Sequence, residues 1–118
     1  MSSLDEVLSS IQDHPGVDHV LMLGRDGLLI QHLGHADALD TETTSAVVPE
    51  IARASEQLGH AGDMRGFSTA VLEFAGHVAI VVPVSDDLIL AVLLRSDVGF
   101  APLLRELRTG RERFAALL

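Results

Sequence analysis

The side chains best able to do chemistry are six histidines, set among seventeen acids. His32 and His35 stand three apart around Gly34, with Asp37 and Asp40 close behind, and together they could offer nitrogen and oxygen donors to zinc or nickel. Such a site needs three or four donors converging on one point. A strand end followed by a loop supplies them only loosely, so these read as turn and surface histidines and no metal site is assigned. His60 and Asp63 read the same way. His19 and His77 fall inside strand patterns, where a satisfied or half-exposed imidazole is expected rather than a catalytic one. Asp86 and Asp87 are adjacent in a tight turn, and in extended chain their carboxylates would point apart instead of sharing a proton. Ser, His and Asp can be combined on paper, but no GxSxG elbow presents a serine.

The missing residue types exclude more. Without cysteine there is no disulfide framework, thiolate metal site or thiol nucleophile. All eight basic residues are arginine, a bias that fits a GC-rich genome. The lack of lysine rules out a GxxxxGK[ST] phosphate loop and Schiff-base chemistry, and no GxGxxG follows a strand. An enzyme is therefore not expected, and neither catalytic residues nor a cofactor are assigned.

The elements that position these residues must fit into 118 residues, enough for one domain spanning residues 1–118. Apolar residues make up 47%, so a core can form without staples. A net charge of -9 argues against nucleic acid or an anionic membrane as partner. The charge is uneven: residues 1–60 hold ten acids and two arginines, residues 61–118 seven acids and six arginines. Met1 to Gln12 carries acids and no apolar run, unlike a signal peptide, and no stretch approaches the roughly 20 apolar residues of a membrane span. A cytoplasmic location without membrane insertion is expected.

Ser3-Leu4-Asp5-Glu6 is a capping box, and Leu4, Val7, Leu8 and Ile11 mark one face of a short helix that His14-Pro15-Gly16 stops. Val17 to Leu23 and Leu28 to Leu33 are strands joined at Arg25-Asp26-Gly27, where an Asp-Gly turn wants positive φ at both positions. Gly34 to Leu39 reads as a loop. Asp40 caps a helix that should run to Leu58, with Gly59 ending it and Pro49 kinking it or marking a late start. On that helix Val47, Ile51, Ala54 and Leu58 form the stripe expected to face the core. Thr44, Val48, Ala52 and Ser55 form a flanking stripe of modest side chains that would let another helix come close. Glu42, Ser45, Pro49, Arg53 and Glu56 lie opposite. Phe67 to Phe74, His77 to Val82 and Leu88 to Leu94 have linkers too short for a crossover, so an antiparallel meander is predicted. Asp97 is a possible cap for one final helix marked by Phe100, Leu103, Leu104, Leu107, Phe114 and Leu118, with Arg111 snorkelling at its rim. The class is α+β: helix, two strands, helix, three strands, helix.

Phe67 to Phe74 is long, largely apolar and charged only at Glu73. As an edge strand it would invite association. With the small-residue stripe, this points to two copies joined edge to edge across a two-fold axis, their middle helices crossing above.

The order of elements and several local phrases resemble the Roadblock family of dynein-light-chain-like domains. The phrases are Pro15-Gly16-Val17, Gly24-Arg25-Asp26-Gly27, Ala54-Ser55-Glu56-Gln57-Leu58-Gly59, Thr69-Ala70-Val71-Leu72-Glu73 and Val98-Gly99. The resemblance covers nearly the whole chain. It implies a profilin/Roadblock-like five-stranded antiparallel sheet in the order 2-1-5-4-3, with the middle helix on one face and the terminal helices on the other. It also implies a homodimer joined through the third strands, so Thr44, Val48, Ala52, Ser55, Phe67, Thr69, Val71 and Glu73 become expected dimer contacts. Members are non-enzymatic regulators or scaffolds for Ras-like small GTPases, and this short chain is most similar to the bacterial gliding-motility type, which activates a partner's GTP hydrolysis. On that implication Glu42, Ser45, Pro49, Arg53 and Glu56 are expected to face the GTPase. No catalytic residue carries over, and Arg53 fits a surface salt bridge better than an arginine finger. A structural adaptor without effect on hydrolysis is the alternative, and a small-ligand sensor ranks behind it for want of aromatic side chains.

Overall fold

The computed structural model describes residues 3–35 and 38–117. Its elements are α1 (Leu4–Gln12), β1 (Val17–Gly24), β2 (Leu29–Leu33), α2 (Thr41–Ala61), β3 (Ala70–Phe74), β4 (His77–Pro83), β5 (Leu88–Arg95), α3 (Ala101–Thr109) and α4 (Arg111–Ala116). The strands form one antiparallel sheet in the order β2-β1-β5-β4-β3. The expected class and strand order are both present.

Side-chain alternation splits the core in two. Val20, Met22, Ile80, Val82, Leu90 and Val92 point to the face covered by α1, α3 and α4. Leu21, Leu23, Val81, Ile89 and Ala91 point to the face covered by α2. Burying both faces is what makes β1, β4 and β5 read as nearly continuous apolar runs. Polar ties pin the first layer: Ser3 Oγ accepts from the Glu6 amide at 3.2 Å, Gln31 Nε2 donates to Asp5 Oδ1 at 2.6 Å, and His14 of the α1–β1 turn pairs with Glu106 of α3.

The β1–β2 hairpin is closed differently from expectation. The Gly27 amide donates to the Gly24 carbonyl at 3.0 Å, Asp26 Oδ1 accepts from the Leu28 amide at 3.0 Å, and Gly27 takes φ +89°. Asp26 has no positive φ. This is a wider turn with its left-handed residue last, and the pairing slips between Met22 and Leu23 as β2 begins.

Three other boundaries move. α2 passes through Gly59 and ends at Ala61, capped by Gly62, whose amide donates to the Leu58 carbonyl at 3.0 Å. β3 starts at Ala70, so Phe67 and Thr69 precede the strand. The expected final helix is broken at Gly110 into α3 and α4, and α3 starts after Phe100 with Pro102 in its first turn and no side-chain cap, which leaves Asp97 out of that role. Arg111 is half buried and donates to the Ser68 carbonyl at 3.2 Å. Leu118 and Asp37 lie outside the described residues.

Candidate functional site

α2 decides which residues the molecule offers on that face. Asp40 caps it through the Thr43 amide at 3.1 Å and the Thr43 hydroxyl at 2.7 Å. Those bonds hold the Asp40 carboxyl below its ordinary pKa, the hydroxyl first and the amide second. Pro49 sits inside the helix and brings no amide to the Ser45 carbonyl four residues back, yet α2 remains one element. That carbonyl instead faces the hairpin: a Cβ added to Gly27 would lie 3.3 Å from it. Arg25 Nη1 adds a salt bridge to Glu56 Oε1 at 2.9 Å, tying the hairpin to the flank of α2.

The buried side of α2 is Ser45, Val48, Pro49 and Ala52. This overturns the expected orientation. Val48 and Ala52 pack into the chain's own second core, so they are not free to meet another helix. Ser45 and Pro49 are buried and cannot face a GTPase. Thr44 and Ser55 are half buried, and their hydroxyls donate to the Asp40 and Ile51 carbonyls, each at 2.8 Å. Val47 and Leu58, expected in the core, are 43% and 66% exposed. The helix is turned so that Ser45, Val48, Pro49 and Ala52 are buried and its bulkier stripe lies outside.

That stripe adjoins the open edge of the sheet. β3 is an edge strand, and Val71, Glu73 and Phe74 are exposed on it. Phe67 and Thr69 are half buried before the strand, with Phe67 packed against the second core. Between the N-terminal half of α2 and the sheet lies a cavity of about 830 Å³, lined by Val47, Ile51, Phe74, Ala79, Leu93 and His19 among others. Outward-facing charges on α2 are Glu42, Glu50, Arg53 and Glu56, whereas Arg105, Arg108 and Arg113 are exposed on the helices of the opposite face. The acidic first half of the sequence is thus partly displayed on α2.

The histidines separate by environment. His19 is 7% exposed, its Nδ1 lies 3.0 Å from Nε2 of His32, and the two rings stack with centroids 5.2 Å apart. The expected satisfied sheet histidine is therefore His19, and sequence spacing offered no hint that His32 across the hairpin was its partner. His35, His60 and His77 are exposed. Among the described residues, no group of three or more His, Cys, Asp or Glu side chains is arranged to hold a metal ion. The Asp86 and Asp87 carboxylates are exposed in the β4–β5 turn, where Ser85 Oγ accepts from the Asp87 and Leu88 amides.

A sheet covered on both faces, with an open edge strand beside an exposed apolar helix stripe, defines an α+β domain of the profilin/Roadblock-like kind. The Roadblock/LC7 domain model matches residues 3–94. The chain belongs to the Roadblock/LC7 family. Its fold is similar to that of Myxococcus xanthus MglB, with a TM-score of 0.87 and 14% identity over 97% of this chain and 93% of that one. The gliding protein MglB from Thermus thermophilus gives a TM-score of 0.84 and 17% identity over 97% and 87%. A chain of the LokiProfilin2–rabbit actin complex gives 0.67 and 12% over the full length of both. At these identities the likeness concerns the fold. No curated protein matches the chain in sequence. No helix among the described residues is long and apolar enough to cross a membrane.

Proposed function

We propose that this chain is a homodimeric, non-enzymatic regulator of a Ras-like small GTPase. Family membership and the MglB-like fold support the class. The observation that carries the dimer is the exposure of Val47 and Leu58 on α2 and of Phe74 on the β3 edge, with Val47 and Phe74 lining one cavity and Val71 exposed on the other face of the same edge. A monomer that leaves both a strand edge and large apolar side chains uncovered is prone to associate.

A second copy fits this surface by symmetry. Val47, Ile51, Ala54 and Leu58 are spaced evenly about their own midpoint. A two-fold axis there sets Val47 against the partner's Leu58 and Ile51 against the partner's Ala54. Val71 and Glu73 remain contacts of the paired edge, while Val48 and Ala52 drop out because they serve the chain's own core.

Glu42, Arg53 and Glu56, exposed on the side of α2 away from that stripe, form the surface offered to the GTPase, and their acidic balance favours a basic partner surface. Such a regulator acts by reshaping the GTPase's own site. Phosphate release from purified small GTPases encoded near this chain's gene tests the reading. Faster release with added protein supports a GTPase activator. A complex without acceleration supports an adaptor, and no complex in either nucleotide state contradicts both.

A further inference from the structure

The His19–His32 contact is unusual because it places two titratable rings at a structural joint. His19 lies in β1 and is buried, whereas His32 lies near the end of the edge strand β2, opposite Leu21. Two residues beyond His32 the chain crosses back over the His19 ring. Gly34 has φ +132°, and a Cβ there would stand 2.5 Å from both His19 Nδ1 and the Asp18 carbonyl oxygen. Only glycine permits that approach. The segment then leads to Asp40 and the start of α2, and His19, Gly34 and His35 form one wall of the cavity under that helix.

We propose that the His19–His32 pair is an acid-sensitive latch that holds the end of β2 and the following Gly34 on the sheet. In the neutral pair one of the facing nitrogens donates its N–H and the other accepts. A first proton from solvent goes to a ring nitrogen outside the bridge and leaves the bond intact. A second must bind the accepting nitrogen, which sets two N–H groups and two positive charges face to face. The bond is then lost, and β2 yields because, as the sheet edge, it is paired on one side only.

The surroundings favour this order. Burial lowers the His19 pKa most, His32 lowers it next, Asp18 opposes, and His35 adds a smaller downward push. From β5 the facing residue is Leu93, and the α2 residues on the same cavity, Thr43, Thr44, Val47 and Val48, carry no titratable group. Gln12 of α1 is neutral, and among the described residues His77 of β4 is the remaining ionisable side chain on the cavity wall. The latch is a property of the chain itself and stands apart from the GTPase reading.

Imidazole ¹⁵N titration and amide hydrogen exchange, followed from about pH 8 to about pH 5 on the intact protein and on His32→Gln, test it. The wild type should titrate His19 and His32 in two coupled steps. Protection of the Leu33 amide, which faces Val20 of β1, corrected for intrinsic exchange, should fall about tenfold per pH unit below the second step, the slope of a one-proton opening. In His32→Gln protection of Leu33 should change less with pH, the remaining slope coming from the burial of His19 alone. Independent titration of the two rings, or the same pH profile of protection at Leu33 in both proteins, would overturn the latch. If the variant fails to fold, the wild-type imidazole titration decides alone.

Discussion

Val47 and Val48 are consecutive residues of α2 with opposite environments: Val48 is 5% exposed in the second core, and Val47 is 43% exposed beside the open edge of the sheet. The same side chain at neighbouring positions therefore separates folding from association. Val48→Ala should cost about 2 kcal/mol in urea unfolding at every protein concentration, from lost burial and the cavity left behind. Val47→Ser should change the intrinsic stability by no more than about 0.5 kcal/mol. It should remove the dependence of the midpoint on protein concentration that dimerisation confers. Equal, concentration-independent losses in both variants would contradict the assignment of faces.

Gly27→Ala should destabilise by about 1–2 kcal/mol in chemical denaturation. The φ of +89° disfavours any side chain, and the new Cβ would press on the Ser45 carbonyl. A fold insensitive to this change would mean that the hairpin does not depend on its contact with α2.

Asp40→Ala should lower the helical signal and the thermal midpoint, and Asp40→Asn should restore part of both because an amide oxygen also caps. The sign of the pH effect follows from the depressed pKa. The unfolded chain binds a proton at Asp40 more readily than the folded one, so the stabilisation is full above the unfolded pKa and disappears as pH falls through the folded value. Stability lost through this cap should therefore appear only in acid, below the ordinary carboxylate range, and should be missing in Asp40→Ala.

His19 acts in the same direction at higher pH. Its lowered pKa means that the unfolded chain takes up a proton first as pH drops through the ordinary imidazole value near about 6.5. Urea midpoints should therefore fall progressively on acidification from neutrality, and His19→Gln should flatten that slope whatever it costs in stability. An unchanged slope would show that His19 is not the group responsible.

Local chemistry carried most of the fold into the sequence. Ser3 and Asp40 are caps because their oxygens reach the amides three residues on, and the short linkers at Ala75-Gly76 and Ser85-Asp86-Asp87 leave only a meander. The face of α2 was not legible, because periodicity places bulk on a stripe without saying what covers it. Val47 and Leu58 outweigh Thr44 and Ser55, yet the smaller stripe, with Ser45 and Pro49, lies on the sheet. The break at Gly110 was hidden because the apolar positions keep helical spacing across it, so Phe114 still reaches the core. The His19–His32 pair depends on hairpin register, which the slip at Met22 and Leu23 sets and composition does not.

The proposed regulator depends most on a second copy covering α2 and the β3 edge. Light scattering of the wild-type protein at about micromolar concentration, the range in which a specific dimer of this kind should persist, measures that directly. The expected mass is twice the 12.6 kDa of the chain, falling to 12.6 kDa in Leu58→Asp. A wild-type mass of 12.6 kDa under the same conditions would contradict it.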